Sequence, residues 1–203
     1  MYKMFLNFIL YMFGTFLFLF LLWKRLKDDY SVNQVFGLGF YILLTLFVFG
    51  KVSKIFFPAY WFWFGVLGVI IVTLISIWKN KMMMIETVEA VGIALFPMTS
   101  FIFLIDAITK SSFVSLGAFF VIFFLLLLFG YFEKNYRKYS WYKSGRVGFS
   151  GIVVMGIFFL VRALVSLFGI DVISFFPVYE SYISCSFALI FFLVIFRLSR
   201  KIF

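Results

Sequence analysis

The chain contains no histidine and a single cysteine, Cys185. The first absence excludes imidazole base catalysis and His-ligated metals. The second excludes a disulfide framework and any thiolate cluster for zinc or iron–sulfur. Charge is also scarce: 13% of the 203 residues are charged, against about 25% in an ordinary soluble domain. Proline occurs three times, so little interrupts long helices. What fills the chain is apolar, with 66% hydrophobic residues and a mean hydropathy of +1.16. A water-soluble fold of this size cannot bury that much apolar surface, so the sequence reads as an integral membrane protein. No metal or cofactor is expected. The formal net charge of +10 does not point to nucleic acid, because the basic residues sit between apolar runs. There they set topology and meet anionic headgroups.

A helix needs about 20 mostly apolar residues to cross the hydrocarbon core. Seven stretches qualify: Met4–Trp23, Val35–Phe57, Tyr60–Trp78, Glu86–Ile108, Ser112–Phe132, Val147–Gly169 and Val172–Phe196. They are twice the length of barrel strands and apolar on every side, which favours helices. The first run is too long for the core of a signal peptide and ends at Lys24-Arg25, so it reads as a retained helix. Thirteen of the eighteen basic residues fall in one set of connections, while the other holds only Lys3, Lys51, Lys54 and Lys110. The positive-inside rule then places the N-terminus outside and the C-terminus in the cytoplasm. The fold expected is an all-α integral membrane protein of seven transmembrane helices, one domain over 1–203, in the cytoplasmic membrane. Its one long connection, Glu133–Arg146, is basic and aromatic and reads as an anchor on anionic lipid.

Charges inside a span cost about 2.5–3.5 kcal/mol each on insertion scales, so they mark candidate sites. Arg162 lies in the sixth span, about 10 Å from its outer end at the helical rise. Two readings stand side by side: Arg162 holds a lipid phosphate, or it pairs with an acid and sets helix register. Glu180, in the outer part of the seventh span, is the candidate acid. Asp106, near the outer end of the fourth, is a third member. Lys51 and Lys54 end the second span three residues apart, on one helix side. Together these five groups suggest an anion-binding cavity facing the outer leaflet. Glu86 and Glu89 read as offsetting the dipole of their own helix. Pro97 is expected to kink the fourth helix. Gly145, Gly148 and Gly151, like Gly65 and Gly68, read as close-packing positions. Cys185 reads as a buried, inert thiol.

The first hairpin, YMFGTFLFLFLLWKRLKDDYSVNQVFGLGFYILLTLFVFGKV, resembles that of the bacterial prolipoprotein diacylglyceryl transferases, with Tyr11, Gly14 and Gly50 in place and Lys51 where the family has Arg. The segments WFWFGVLGVIIVTLISIWKN and KSGRVGFSGIVVMGIFFLVRALVSLF resemble its third and penultimate spans, and Arg162 falls on the functional arginine of the latter. The resemblance implies transfer of a diacylglyceryl group from phosphatidylglycerol to a prolipoprotein's lipobox cysteine, with that membrane phospholipid and the prolipoprotein signal peptide as partners. It assigns Arg162, Lys51, Lys54 and Tyr11 to substrate binding. The chain departs from the family where the chemistry would occur. Trp63-Phe64-Gly65 stands for the His-Gly-Gly motif, Ile102–Asp106 for Gly-Arg-x-Gly-Asn, and Leu116-Gly117 for a Tyr-Glu pair. Without histidine, Asp106 or Glu180 is the only base for thiol alkylation in that region. Three functions follow as alternatives: a divergent or weakly active transferase, a non-catalytic relative that binds lipid or a partner, and a small transporter or sensor gated by Arg162 and Glu180.

Overall fold

The computed structural model describes residues 2–135, 148–170, 172–176 and 179–200. Among them the regular structure is helical: α1 (Tyr2–Leu26), α2 (Val32–Phe56), α3 (Trp61–Asn80), α4 (Met84–Lys110), α5 (Phe113–Asn135), α6 (Ser150–Leu167) and α7 (Glu180–Arg200). All seven are long and apolar enough to cross a membrane, as in a multi-pass membrane protein. The helices form because the runs are apolar and the backbone groups inside each span bond within their own helix, as lipid demands.

Local signals set the connections. Before α2, the Ser31 amide donates to Gln34 Oε1 at 3.0 Å, and the Gln34 amide group in turn donates to the Asn80 carbonyl at 3.3 Å. Lys81 (φ 52°) ends α3 and Ser111 (φ 55°) ends α4, both in the left-handed region. α4 continues through Pro97 as one helix.

The expected last span is corrected. Residues 172–176 are not helical, and α7 begins at Glu180. Pro177 in the sequence disfavours helical backbone at the residue before it, although hydropathy alone runs on through this stretch. The expected sixth span also shortens to Ser150–Leu167, and its first residue, Val147, lies outside the described residues.

Packing is tightest between α6 and α7, α1 and α4, α2 and α3, and α4 and α5. Two apolar clusters result. One joins Ile93, Phe96 and Phe103 of α4 to residues of α5, α6 and α7, including Ile122, Val154 and Ala188. The other joins Ala90, Val91 and Ala94 of α4 to Phe18, Leu22, Leu38 and Ile42 of α1 and α2. α4 is thus the shared wall. In the α2–α3 hairpin, a Cβ on Gly68 would lie 2.6 Å from Thr45 Cγ2, so glycine there permits close approach, as expected for lipid-embedded helices.

Side-chain bonds define two ends of the bundle. At the Arg162 end, the close of α4 meets the start of α5 through Asp106 and Ser115. There too α3 begins beside residues 172–176 and the start of α7. At the Arg25 end, the close of α1 meets the starts of α4 and α6 and the close of α5. Helices consecutive in the chain therefore run antiparallel, while α4 and α6, which both begin at the Arg25 end, run parallel.

Candidate functional site

A cavity of about 1300 Å³ lies between the α2–α3 hairpin and a wall formed by α1, α4, α6 and α7. Its surface is built from side chains such as Leu46, Val69, Leu95, Met155 and Phe191, and is apolar over most of its length. Its two charged side chains, Lys51 and Lys54, lie toward one end, while Thr73 and Thr99 are polar groups farther along the lining. Phe47, Gly50, Lys51 and Lys54 follow the i, i+3, i+4, i+7 pattern and so form one stripe of α2 facing the cavity. Tyr11 and Thr15 of α1, four residues apart, line it too.

Lys51 and Lys54 are exposed and make no ion pair or hydrogen bond among the described residues. Lys51 Nζ lies 5.6 Å from the Phe47 ring centroid, within reach of the ring's negative face. Because Gly68 packs on Thr45, six residues toward the hairpin turn brings Lys51 level with Phe62.

Phe62 also lines the cavity, and Arg162 stands directly behind it, with Cζ 3.9 Å from the ring centroid. Arg162 is 4% exposed and Glu180 is 1% exposed. The guanidinium donates to Glu180 Oε1 from Nε (3.0 Å) and Nη2 (2.6 Å), to Ser174 Oγ from Nη1 (2.8 Å) and to the Ser174 carbonyl from Nη2 (3.0 Å). Glu180 further accepts from Trp63 Nε1 (2.8 Å), the Phe176 amide (2.9 Å) and Ser184 Oγ (2.7 Å). Of the two readings of Arg162, the geometry is that of a paired ion. The pair stitches α6 and α7 to α3 and pins residues 172–176 over the end of the bundle.

No known protein family, curated protein or solved structure matches this chain. The site is therefore read from its own geometry.

The five charged groups that the sequence places together separate into three sets. Lys51 and Lys54 face the cavity with Tyr11. Arg162 and Glu180 are locked to each other behind its wall. Asp106 accepts from Ser115 Oγ and pairs with Lys110 at 2.9 Å, away from both. Neither carboxylate lines the cavity. Hydrocarbon depth explains the separation, since an acid inside the bundle is held where its donors are and not where a solvent-facing site would put it.

A second buried polar cluster occupies the Arg25 end, and sequence reasoning did not find it. Glu89, fully buried, does not serve the dipole of its own helix. It accepts from the Gly148 amide (2.8 Å) and the Gly151 amide (2.8 Å), where α6 begins, and pairs with Arg25 at 2.8 Å. Arg25 also pairs with Glu133 at 2.9 Å, and Ser150 Oγ donates to Glu133 Oε2 at 2.9 Å. This is anion binding at a helix N-terminus, with an internal carboxylate as the anion. It adds an anion-binding role to the close-packing reading of Gly151, and it corrects that reading for Gly148, which lies in the turn before α6. Gly148 adopts φ 81°, and a Cβ on Gly151 would lie 2.3 Å from Glu89 Cγ. Gly145 lies outside the described residues.

Glu86, in the first turn of α4, accepts from the Tyr30 hydroxyl at 3.0 Å, and that hydroxyl accepts from the Met83 amide at 2.9 Å. Burial raises the Tyr30 phenol above its ordinary range, so it keeps the proton it donates. Cys185 is exposed on α7, not buried as expected. Among the described residues no three His, Cys, Asp or Glu side chains are grouped to hold a metal ion.

Proposed function

We propose that the protein is a membrane-embedded lipid-binding protein that takes an anionic phospholipid into the cavity between the α2–α3 hairpin and α4. The observation that carries this reading is the joining of an apolar cavity of about 1300 Å³ to two lysines on one face of its lining that are unpaired among the described residues. Hydrocarbon chains fit the apolar length, and a headgroup phosphate fits the ammonium groups, with Tyr11 on the same lining. Phosphatidylglycerol has this chemistry and is the ligand that the transferase resemblance also implies. On the count of basic residues, the lysines face the outside, the N-terminus is outside, and the membrane is the cytoplasmic one.

Diacylglyceryl transfer would need, besides lipid, a base at the reacting thiol. Asp106 and Glu180 lie outside the cavity lining and are held by other partners. Binding without transfer is therefore the function proposed.

The test is retention of phosphatidylglycerol by the purified protein, read by native mass spectrometry. Each surface lysine contributes about 1 kcal/mol toward an anionic lipid, so Lys51→Gln with Lys54→Gln should weaken retention about thirtyfold. Phosphatidylcholine should bind no better to the wild type than to that double variant. Equal retention of the two lipids, or an unchanged double variant, would overturn the proposal. Transfer of the lipid's diacylglyceryl group to a lipobox peptide would overturn the binding-only reading.

A further inference from the structure

α1 and α2 pack against each other only toward the Arg25 end. There Gly39 of α2 meets Leu19 and Leu22 of α1, and a Cβ on it would lie 2.8 Å from Leu19 Cδ2. The buried side chains follow the same line. From Met4 to Phe13, α1 has no buried residue. Beyond Ile42, the only buried residue of α2 is Ser53, whose hydroxyl donates to the Phe57 carbonyl just past its own helix. The two helices therefore separate toward the Lys51 end. The residues that flank the separation, Tyr11 and Thr15 on one side and Phe47, Gly50, Lys51 and Lys54 on the other, also line the cavity. Gly50 marks the gap directly: a Cβ there meets nothing within 4 Å. The start of α3, on the other side of the cavity's Lys51 end, is tied. Trp61 Nε1 donates to the Ile173 carbonyl at 3.0 Å, Tyr60 packs on Phe176 with ring centroids 4.3 Å apart, and Trp63 is bonded to Glu180.

Resting on the lipid-binding reading, we infer that the space between α1 and α2 is a lateral portal, through which a phospholipid passes from the adjoining leaflet into the cavity along the Gly50 face. The occupant is set by charge and depth. Among the described residues Lys51 and Lys54 pair with no acid, so an anionic headgroup is drawn to the portal while its chains slide sideways from hydrocarbon into hydrocarbon. The headgroup need not cross an apolar wall, and the aromatic and ion-pair ties at α3, α6 and α7 need not break. A headgroup without negative charge gains nothing at this threshold.

Gly50 permits a clean test. The protein is reconstituted with phosphatidylglycerol, mixed with vesicles of deuterated phosphatidylglycerol, and the bound lipid is followed over time by native mass spectrometry. Gly50→Leu and Gly50→Phe place bulk in the passage without touching a neighbour at the Cβ. Exchange should slow in that order, by about tenfold or more for Phe, as steric crowding of a fitted passage predicts. Gly37→Phe is the control: it sits on the same helix, also has nothing within 4 Å of its Cβ, and does not line the cavity. Its exchange should match wild type. Loaded protein whose exchange is unchanged by Gly50→Phe, or slowed equally by Gly37→Phe, overturns the portal and leaves the lipid-binding reading standing. Wild-type protein that holds no phosphatidylglycerol overturns both.

Discussion

Replacing Glu180 by Gln should destabilise the protein by about 3–5 kcal/mol, because it leaves the Arg162 guanidinium buried without a counter-charge. The expectation follows from burial and geometry. Both groups are almost fully enclosed, and the carboxylate binds Arg162, Trp63, Ser184 and the Phe176 amide at once. Glutamine keeps the shape but supplies an N–H₂ where an acceptor is required, so at least one donor also loses its partner. Arg162→Met should cost a similar amount, since it strands the carboxylate. Combined, the two changes should be less harmful than their sum, because neither leaves a lone charge. Reversible unfolding in mixed micelles would provide the four stabilities. Single variants that each lose less than about 1 kcal/mol, or a strictly additive double variant, would show that the pair does not hold the helices together.

The cluster at the other end carries the second large effect. Glu89→Ala should cost on the order of 3 kcal/mol, through two lost amide bonds at the start of α6 and a weakened hold on Arg25. Gly151→Ala should be nearly as damaging, for a different reason. Its methyl group would fall 2.3 Å from Glu89 Cγ and 2.9 Å from Oε1, inside a fully buried carboxylate with nowhere to move. In the Glu89→Ala background that obstacle is gone, and Gly151→Ala should become neutral or mildly stabilising, as alanine is in a helix. The same unfolding measurement decides it. A Gly151→Ala penalty that persists without Glu89 would show that the glycine serves some other contact.

These two clusters also show how far the chain can be read without coordinates. The seven apolar helices are legible because hydrocarbon imposes one requirement on every span, and hydropathy reports it directly. The shared face of Lys51 and Lys54 is legible because helical periodicity is local. The pairing of Arg162 with Glu180 could be framed as one of two alternatives, since both fall near one hairpin and 18 residues separate them. Choosing between the alternatives required Ser174 and Trp63, which no periodicity brings together. The Glu89 cluster was out of reach for the same reason, as its amide donors lie 59 and 62 residues away. One signal was present in the sequence: glycines at the start of a span, with an acid that the dipole of its own helix did not need. The non-helical stretch at 172–176 was hidden because its side chains are as apolar as those of a helix, and Pro177 was the single mark against one.

The Arg162–Glu180 pair has a consequence for biogenesis. A nascent α6 brings its cation to the translocon while Glu180, 18 residues behind, is still inside the ribosome, at a partitioning cost of about 2.5–3.5 kcal/mol on insertion scales. Only when α7 emerges does that cation acquire its neutralising partner. The last two helices are therefore suited to leave the insertion channel as a couple, with residues 172–176 folded between them as they enter the bilayer.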